Sequence, residues 1–119
     1  MTRPTAIRIA AALGFLAVAL GAFGAHGLKL VLSLNGTREI WEKAVFYHFI
    51  HTIMLFLLAQ KQPVAKGPFW LFLAGIVIFS GSLYLLAVTN IHWLGAITPF
   101  GGLSLLAGWA ALFCRAGEE

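Results

Sequence analysis

Few side chains in this chain could do chemistry, and they are grouped. Tyr47, His48 and His51 fall together, with Tyr47 and His51 at i, i+4 and His48 and His51 at i, i+3. Either pair can share one helix face. Ser80 and Tyr84 repeat the i, i+4 spacing, and His26 and Thr98 complete the set. Histidine can relay protons or ligate a metal or haem. His26, His48 and His51 would supply three nitrogen ligands. Tyrosine, serine and threonine can hydrogen-bond a small ligand. Catalysis lacks its usual parts. The four acidic residues are Glu39, Glu42, Glu118 and Glu119, all outside the apolar runs, so no carboxylate can orient a histidine there. Cys114 lies far along the chain from the histidines and makes no Cys–His pair. The phosphate loop, the paired-cysteine zinc pattern and the nucleophile elbow are absent. A non-enzymatic protein without a cofactor is expected.

The elements that carry these residues belong to a membrane. Of 119 residues, 61% are hydrophobic and 10% charged. A soluble domain has ~45–50% apolar and ~25% charged residues. The net charge of +4 sits at the ends of apolar runs, which fits membrane anchoring and not a nucleic-acid face. Four spans are predicted, at about 9–26, 40–60, 68–88 and 92–114, in a single domain over 1–119. From Gly67 to Cys114 there is no Asp, Glu, Lys or Arg, which leaves room for two of these spans. Thr89-Asn90-Ile91-His92 is their turn. Pro68 suits a first helical turn, and Pro99 beside Gly101 and Gly102 predicts a kink in the fourth span. The first span carries Ala10, Gly14, Ala17, Gly21 and Ala25 as a small-residue stripe, suited to close helix packing or homo-oligomer formation.

Between the first two spans, Leu28 to Leu34 alternates loosely. A lone strand at a membrane would leave its backbone unpaired. A short interfacial helix ending at Asn35-Gly36 is expected instead, with Thr37 as N-cap of the next helix and Glu39 in its first turn. Arg3 and Arg8 ahead of Ile9–Leu20 also imitate a signal peptide, but retention as a span is expected. The fold class is thus all-α, an integral membrane four-helix bundle with a short interfacial helix between helices 1 and 2.

Helix direction gathers the polar positions. With four alternating spans, Arg3, Arg8, Lys61, Lys66 and Arg115 share one side, and Lys29, Arg38 and Lys43 share the other. This bias predicts a plasma (inner) membrane protein with both termini cytoplasmic. His26, Tyr47, His48, His51, Ser80, Tyr84 and Thr98 then fall in the outer half of the bundle. Membrane-embedded polar groups face the bundle interior or a water-filled cavity. The expectation is an outward-opening polar pocket for a small ligand or partner. In a second reading the same groups only hold helices together; in a third, His26, His48 and His51 bind a metal or haem.

Four ordered motifs carry a resemblance. They are Gly21-Ala22-Phe23-Gly24-Ala25-His26-Gly27, Tyr47-His48-Phe49-Ile50-His51, Phe79-Ser80-Gly81-Ser82-Leu83-Tyr84, and Gly95-Ala96-Ile97-Thr98-Pro99-Phe100-Gly101-Gly102 followed by Gly108-Trp109. In this order the chain resembles the YgdD/YwdK-like family of small bacterial membrane proteins, a domain of unknown function with similar small proteins in eukaryotes. The resemblance spans nearly the whole chain. It implies a four-span inner-membrane protein and brings no catalytic residues with it.

Overall fold

Helix α1 (Arg3–Ala25) starts where Thr2 accepts from the backbone N–H of Thr5 and a proline occupies the first turn. Its Ala6, Ala10 and Ala17 are buried. A Cβ added at Gly14 would touch Thr52, and one at Gly21 would touch Val45, so the small-residue stripe packs on α3 (Arg38–Gln60). Close helix packing, one of the two expected uses of this stripe, is thus met inside the protomer. Ala25 is exposed, and Gly24 takes the last packing position. A Cβ at Gly24 would collide with the Trp41 indole, whose Nε1 donates to the Leu20 carbonyl at 2.9 Å.

The expected interfacial helix is α2 (Lys29–Asn35). Gly36 ends it at φ 66, a left-handed conformation that glycine adopts without Cβ strain. Thr37 holds the N-cap position of α3 and Glu39 its first turn, as expected, but the Thr37 side chain makes no capping bond. That side chain is buried and donates to the Ala87 carbonyl at 2.6 Å. Asn35 donates to the same carbonyl and to that of Val88. These carbonyls end the third span and have no partner further along their own helix, so Asn35 and Thr37 are drawn to them.

The third span, α4 (Lys66–Thr89), is continuous but not uniform. A π-helical turn at Ile76–Ser80 interrupts it where the fourth span presses closest. There a Cβ on Gly101 would run into the backbone of Phe79 and Ile78. Asn90 closes α4 at φ 59, giving the expected turn. The fourth span opens with a 3₁₀ segment, His92–Ala96, and continues as α5 (Thr98–Arg115). Pro99 sits in the first turn of α5, where its missing N–H costs no hydrogen bond. A change of helix type just before Pro99 stands where the kink was expected.

The computed structural model describes residues 1–118. Its four spanning helices alternate in direction, and its longest dimension is 50 Å. That matches a bilayer of ~40–45 Å with its interfaces. Helices α3 and α4 are central, and α1 and α5 flank them. Accordingly 39% and 44% of the central spans are buried inside the protein, against 17% of each flanking span. At the end holding both termini, Arg3 donates to Gln60. Hydrogen bonding with Lys66, and its charge, push the Met1 amino group below its usual pKa. Two apolar cores result. One, near the termini, centres on Leu55, Phe69, Phe72 and Ile76. The other, near α2, joins Leu32, Trp41 and Ala87.

Candidate functional site

The buried polar residues form a belt between the two cores. Along α3, His48, His51 and Thr52 separate Trp41 and Ala44 from Leu55 and Leu58, all buried. Along α4, Ser80 and Ser82 separate Phe72 and Ile76 from Ala87. His51 lies just past the middle of α3, and its ring meets Phe72, in the first half of α4, at 5.6 Å. His51 therefore lies near mid-span, deeper than the sequence put it, while Ser80, Ser82, Tyr84 and Thr98 fall in the half of their helices towards α2. The second span begins at Arg38, close to the expected start at about 40.

Hydrogen-bond partners fix the proton on each belt histidine. His48 Nε2 lies 2.9 Å from the Leu13 carbonyl and Nδ1 lies 2.8 Å from the Tyr84 hydroxyl. A carbonyl only accepts, so in the neutral ring Nε2 carries the proton and Nδ1 accepts from Tyr84. His51 is the mirror case. Its Nδ1 lies 2.8 Å from the Tyr47 carbonyl and donates, and its Nε2 accepts from Trp109 Nε1 at 3.0 Å. All four ring nitrogens are occupied with both rings neutral.

The smaller groups follow the same logic. Ser80 donates to the Ala44 carbonyl at 2.7 Å, and Thr52 to that of His48 at 2.7 Å. Ser82 lies 3.0 Å from the Phe79 carbonyl and 2.6 Å from Thr98 Oγ1. Its one proton goes to the carbonyl, so Thr98 donates to Ser82. Among the described residues, no buried side-chain nitrogen or oxygen lacks a partner.

The predicted site residues thus separate into distinct groups. His48 joins Tyr84, and His51 joins Trp109. Thr98 joins Ser82, and Ser80 bonds backbone. Tyr47 is 41% exposed, stacks on the His51 ring at 6.1 Å and meets Phe79 in a tilted contact at 4.7 Å. His26 is exposed at the C-cap of α1 and joins none of these groups. Among the described residues, no three His, Cys, Asp or Glu side chains cluster to hold a metal. The trio of His26, His48 and His51 is therefore not assembled. Three contributors escaped the sequence reading. Thr52 was not singled out, Trp109 was visible as a motif residue but lies on another span from its partner, and Leu13 acts through its backbone, which no side-chain type reveals.

Of the predicted site residues, Tyr47 and His51 line one open depression of about 550 Å³ between α3 and α5, together with Phe79 and Trp109.

Comparison with known proteins agrees with this architecture. No solved structure matches the chain. The UPF0382 membrane protein YwdK of Bacillus subtilis is 44% identical over 107 residues, covering 85% of this chain and 86% of that protein. The UPF0382 membrane protein SH2409 of Staphylococcus haemolyticus is 46% identical over 101 residues, covering 82% of each. The UPF0382 inner membrane protein YgdD of Escherichia coli K12 is 40% identical over 123 residues, covering 98% of this chain and 92% of that protein. The family model described as protein of unknown function (DUF423) matches residues 20–102, and the chain, a multi-pass membrane protein with four spanning helices, belongs to that family.

Proposed function

We propose that this is a non-enzymatic inner-membrane protein whose polar belt serves its own architecture, holding four helices in one register. The observation that carries this reading is the saturation of the belt: among the described residues, every buried side-chain donor and acceptor has a partner inside the protein. Lipid gives helices little hydrophobic reason to associate, so packing and interhelical hydrogen bonds must select one arrangement. His48 ties α3 to both α1 and α4, while His51 ties α3 to α5. The belt thus links all four spans. The excess of Lys and Arg at the end holding the termini supports a cytoplasmic location for both termini.

The test is a comparison of His48→Leu and His51→Leu with the parent protein in detergent. Both variants are expected to melt at lower temperature, with no metal or haem in parent or variants by elemental analysis and absorption spectroscopy. Stoichiometric metal or haem lost on substitution would overturn the proposal.

A second reading rests on the depression between α3 and α5. Its volume of about 550 Å³ lies within the ~300–1,000 Å³ of small-molecule sites, and its walls are apolar around Tyr47 and His51. It suits an apolar molecule drawn from the bilayer. Leu106→Trp would fill it; loss of one extractable molecule from purified protein would favour this reading over the architectural one.

A further inference from the structure

A different surface, on the opposite side of α3, has the shape of an amphiphile. Where α1, α2 and α3 meet, a cleft of about 620 Å³ is lined by Lys29, Ser33, Arg38 and Glu39. It shares Gly24, Ala25, Leu32 and Arg38 with a depression of about 240 Å³ that passes Trp41 and Glu42. That depression shares Gly21 and Val45 with a third, of about 380 Å³, reaching Ala17 and Phe49. From Ala25 to Ala17 the helix runs ~12 Å at ~1.5 Å per residue. The result is one groove between α1 and α3, charged at the membrane interface and apolar below. It stays open because α1 contributes Ala17, Gly21, Gly24 and Ala25, while the Trp41 indole packs against Gly24, tied to the Leu20 carbonyl.

The charges restrict the occupant. Lys29 and Arg38 are matched by Glu39 and Glu42, so the cleft carries both signs and no net charge. Arg38 and Glu42 bond at 3.1 Å but remain 73% and 62% exposed, free to meet a ligand. A purely anionic headgroup would meet two carboxylates, and a purely cationic one two cations. A zwitterion satisfies all four. Carboxylates accept hydrogen bonds, which favours an ammonium with N–H donors over a quaternary one.

We infer that this groove holds one phosphoethanolamine lipid: phosphate at Lys29 and Arg38, ammonium at Glu39 and Glu42, and an acyl chain over Trp41 along α1 and α3. The inference is independent of the polar belt. It is tested by native mass spectrometry of the full chain in detergent, incubated with equal amounts of phosphatidylethanolamine, phosphatidylcholine and phosphatidylglycerol. A single-lipid adduct dominated by phosphatidylethanolamine is expected. Lys29→Ala with Arg38→Ala should abolish it. Glu39→Gln with Glu42→Gln should shift the preference toward phosphatidylglycerol. Ala22→Trp, on an exposed wall of the lower groove, should also remove the adduct; should that variant misfold, the headgroup shift still decides. Preference for phosphatidylglycerol in the parent, a ladder of adducts without headgroup preference, adducts indifferent to the four charges, or a chain dimer in place of the lipid would each overturn the inference.

Discussion

The two belt histidines share a physical logic that their spacing could not convey. Each ring donates one proton to a backbone carbonyl and accepts one from a neighbouring helix: Tyr84 for His48, Trp109 for His51. Protonating His51 would set N–H against N–H at Trp109, so this arrangement needs the neutral ring. Trp109→Phe keeps an aromatic ring and removes the donor. Interhelical hydrogen bonds in membranes average ~0.6 kcal/mol and reach ~1.7 kcal/mol, so a loss in that range is expected from unfolding in mixed micelles. The diagnostic is a double-mutant cycle with His51→Phe. Additive effects would show that the pair contributes nothing beyond its separate packing. The sequence made the histidines legible because His48 and His51 are polar side chains in an apolar run. It could not pair them, because Tyr84, Trp109 and Leu13 approach from three other helices. His26 was misplaced for a related reason: it is close to the belt in type, but α1 ends before it and leaves it exposed at the interface.

At the scale of the element, small residues decide which helices touch. The α1 stripe was readable from its spacing, since a helix brings positions three and four apart onto one face. Its partner, α3, was not readable. Along the second close interface, α5 on α4, Gly101 was read only as a neighbour of the expected kink at Pro99, but it and Gly108 are contact points. A Cβ at Gly108 would lie 2.7 Å from the Phe72 ring, and one at Gly101 would strike the α4 backbone. Ser104 adds a bond to the Leu71 carbonyl at 2.7 Å along the same seam. Two glycine-to-alanine substitutions should therefore differ in sign. Gly101→Ala meets backbone that cannot rotate away, and overpacking of this kind costs ~1–3 kcal/mol. Gly81→Ala meets nothing within 4 Å in a helical position. There it should stabilise by ~0.5–1 kcal/mol through reduced backbone entropy. Melting temperatures of the two variants check this; a Gly101→Ala protein as stable as the parent would contradict the seam.

At the scale of the molecule, alternating direction makes a strong topological statement. Both termini, Lys61 and Lys66 lie at one end, while α2 with Lys29 and Arg38 lies at the other. Counting four alternating spans anticipated this division, because each crossing reverses the chain. It left the depth of His51 hidden, since depth depends on where each helix starts. The chain has a single cysteine, Cys114, which is exposed near the end of α5. It can be replaced by serine to give a cysteine-free background. Single cysteines at Thr2 and at Ser33, exposed on α2, then report the two ends separately. In intact bacterial cells a membrane-impermeant maleimide should modify Ser33→Cys and spare Thr2→Cys. After permeabilisation both should react. Labelling of both sites in intact cells would contradict a crossing by α1 with α2 at the far end. Labelling of Thr2→Cys alone would keep that crossing and reverse the proposed orientation. In that case the charged mouth of the α1–α3 groove would open on the cytoplasmic side, and its lipid would come from the cytoplasmic leaflet.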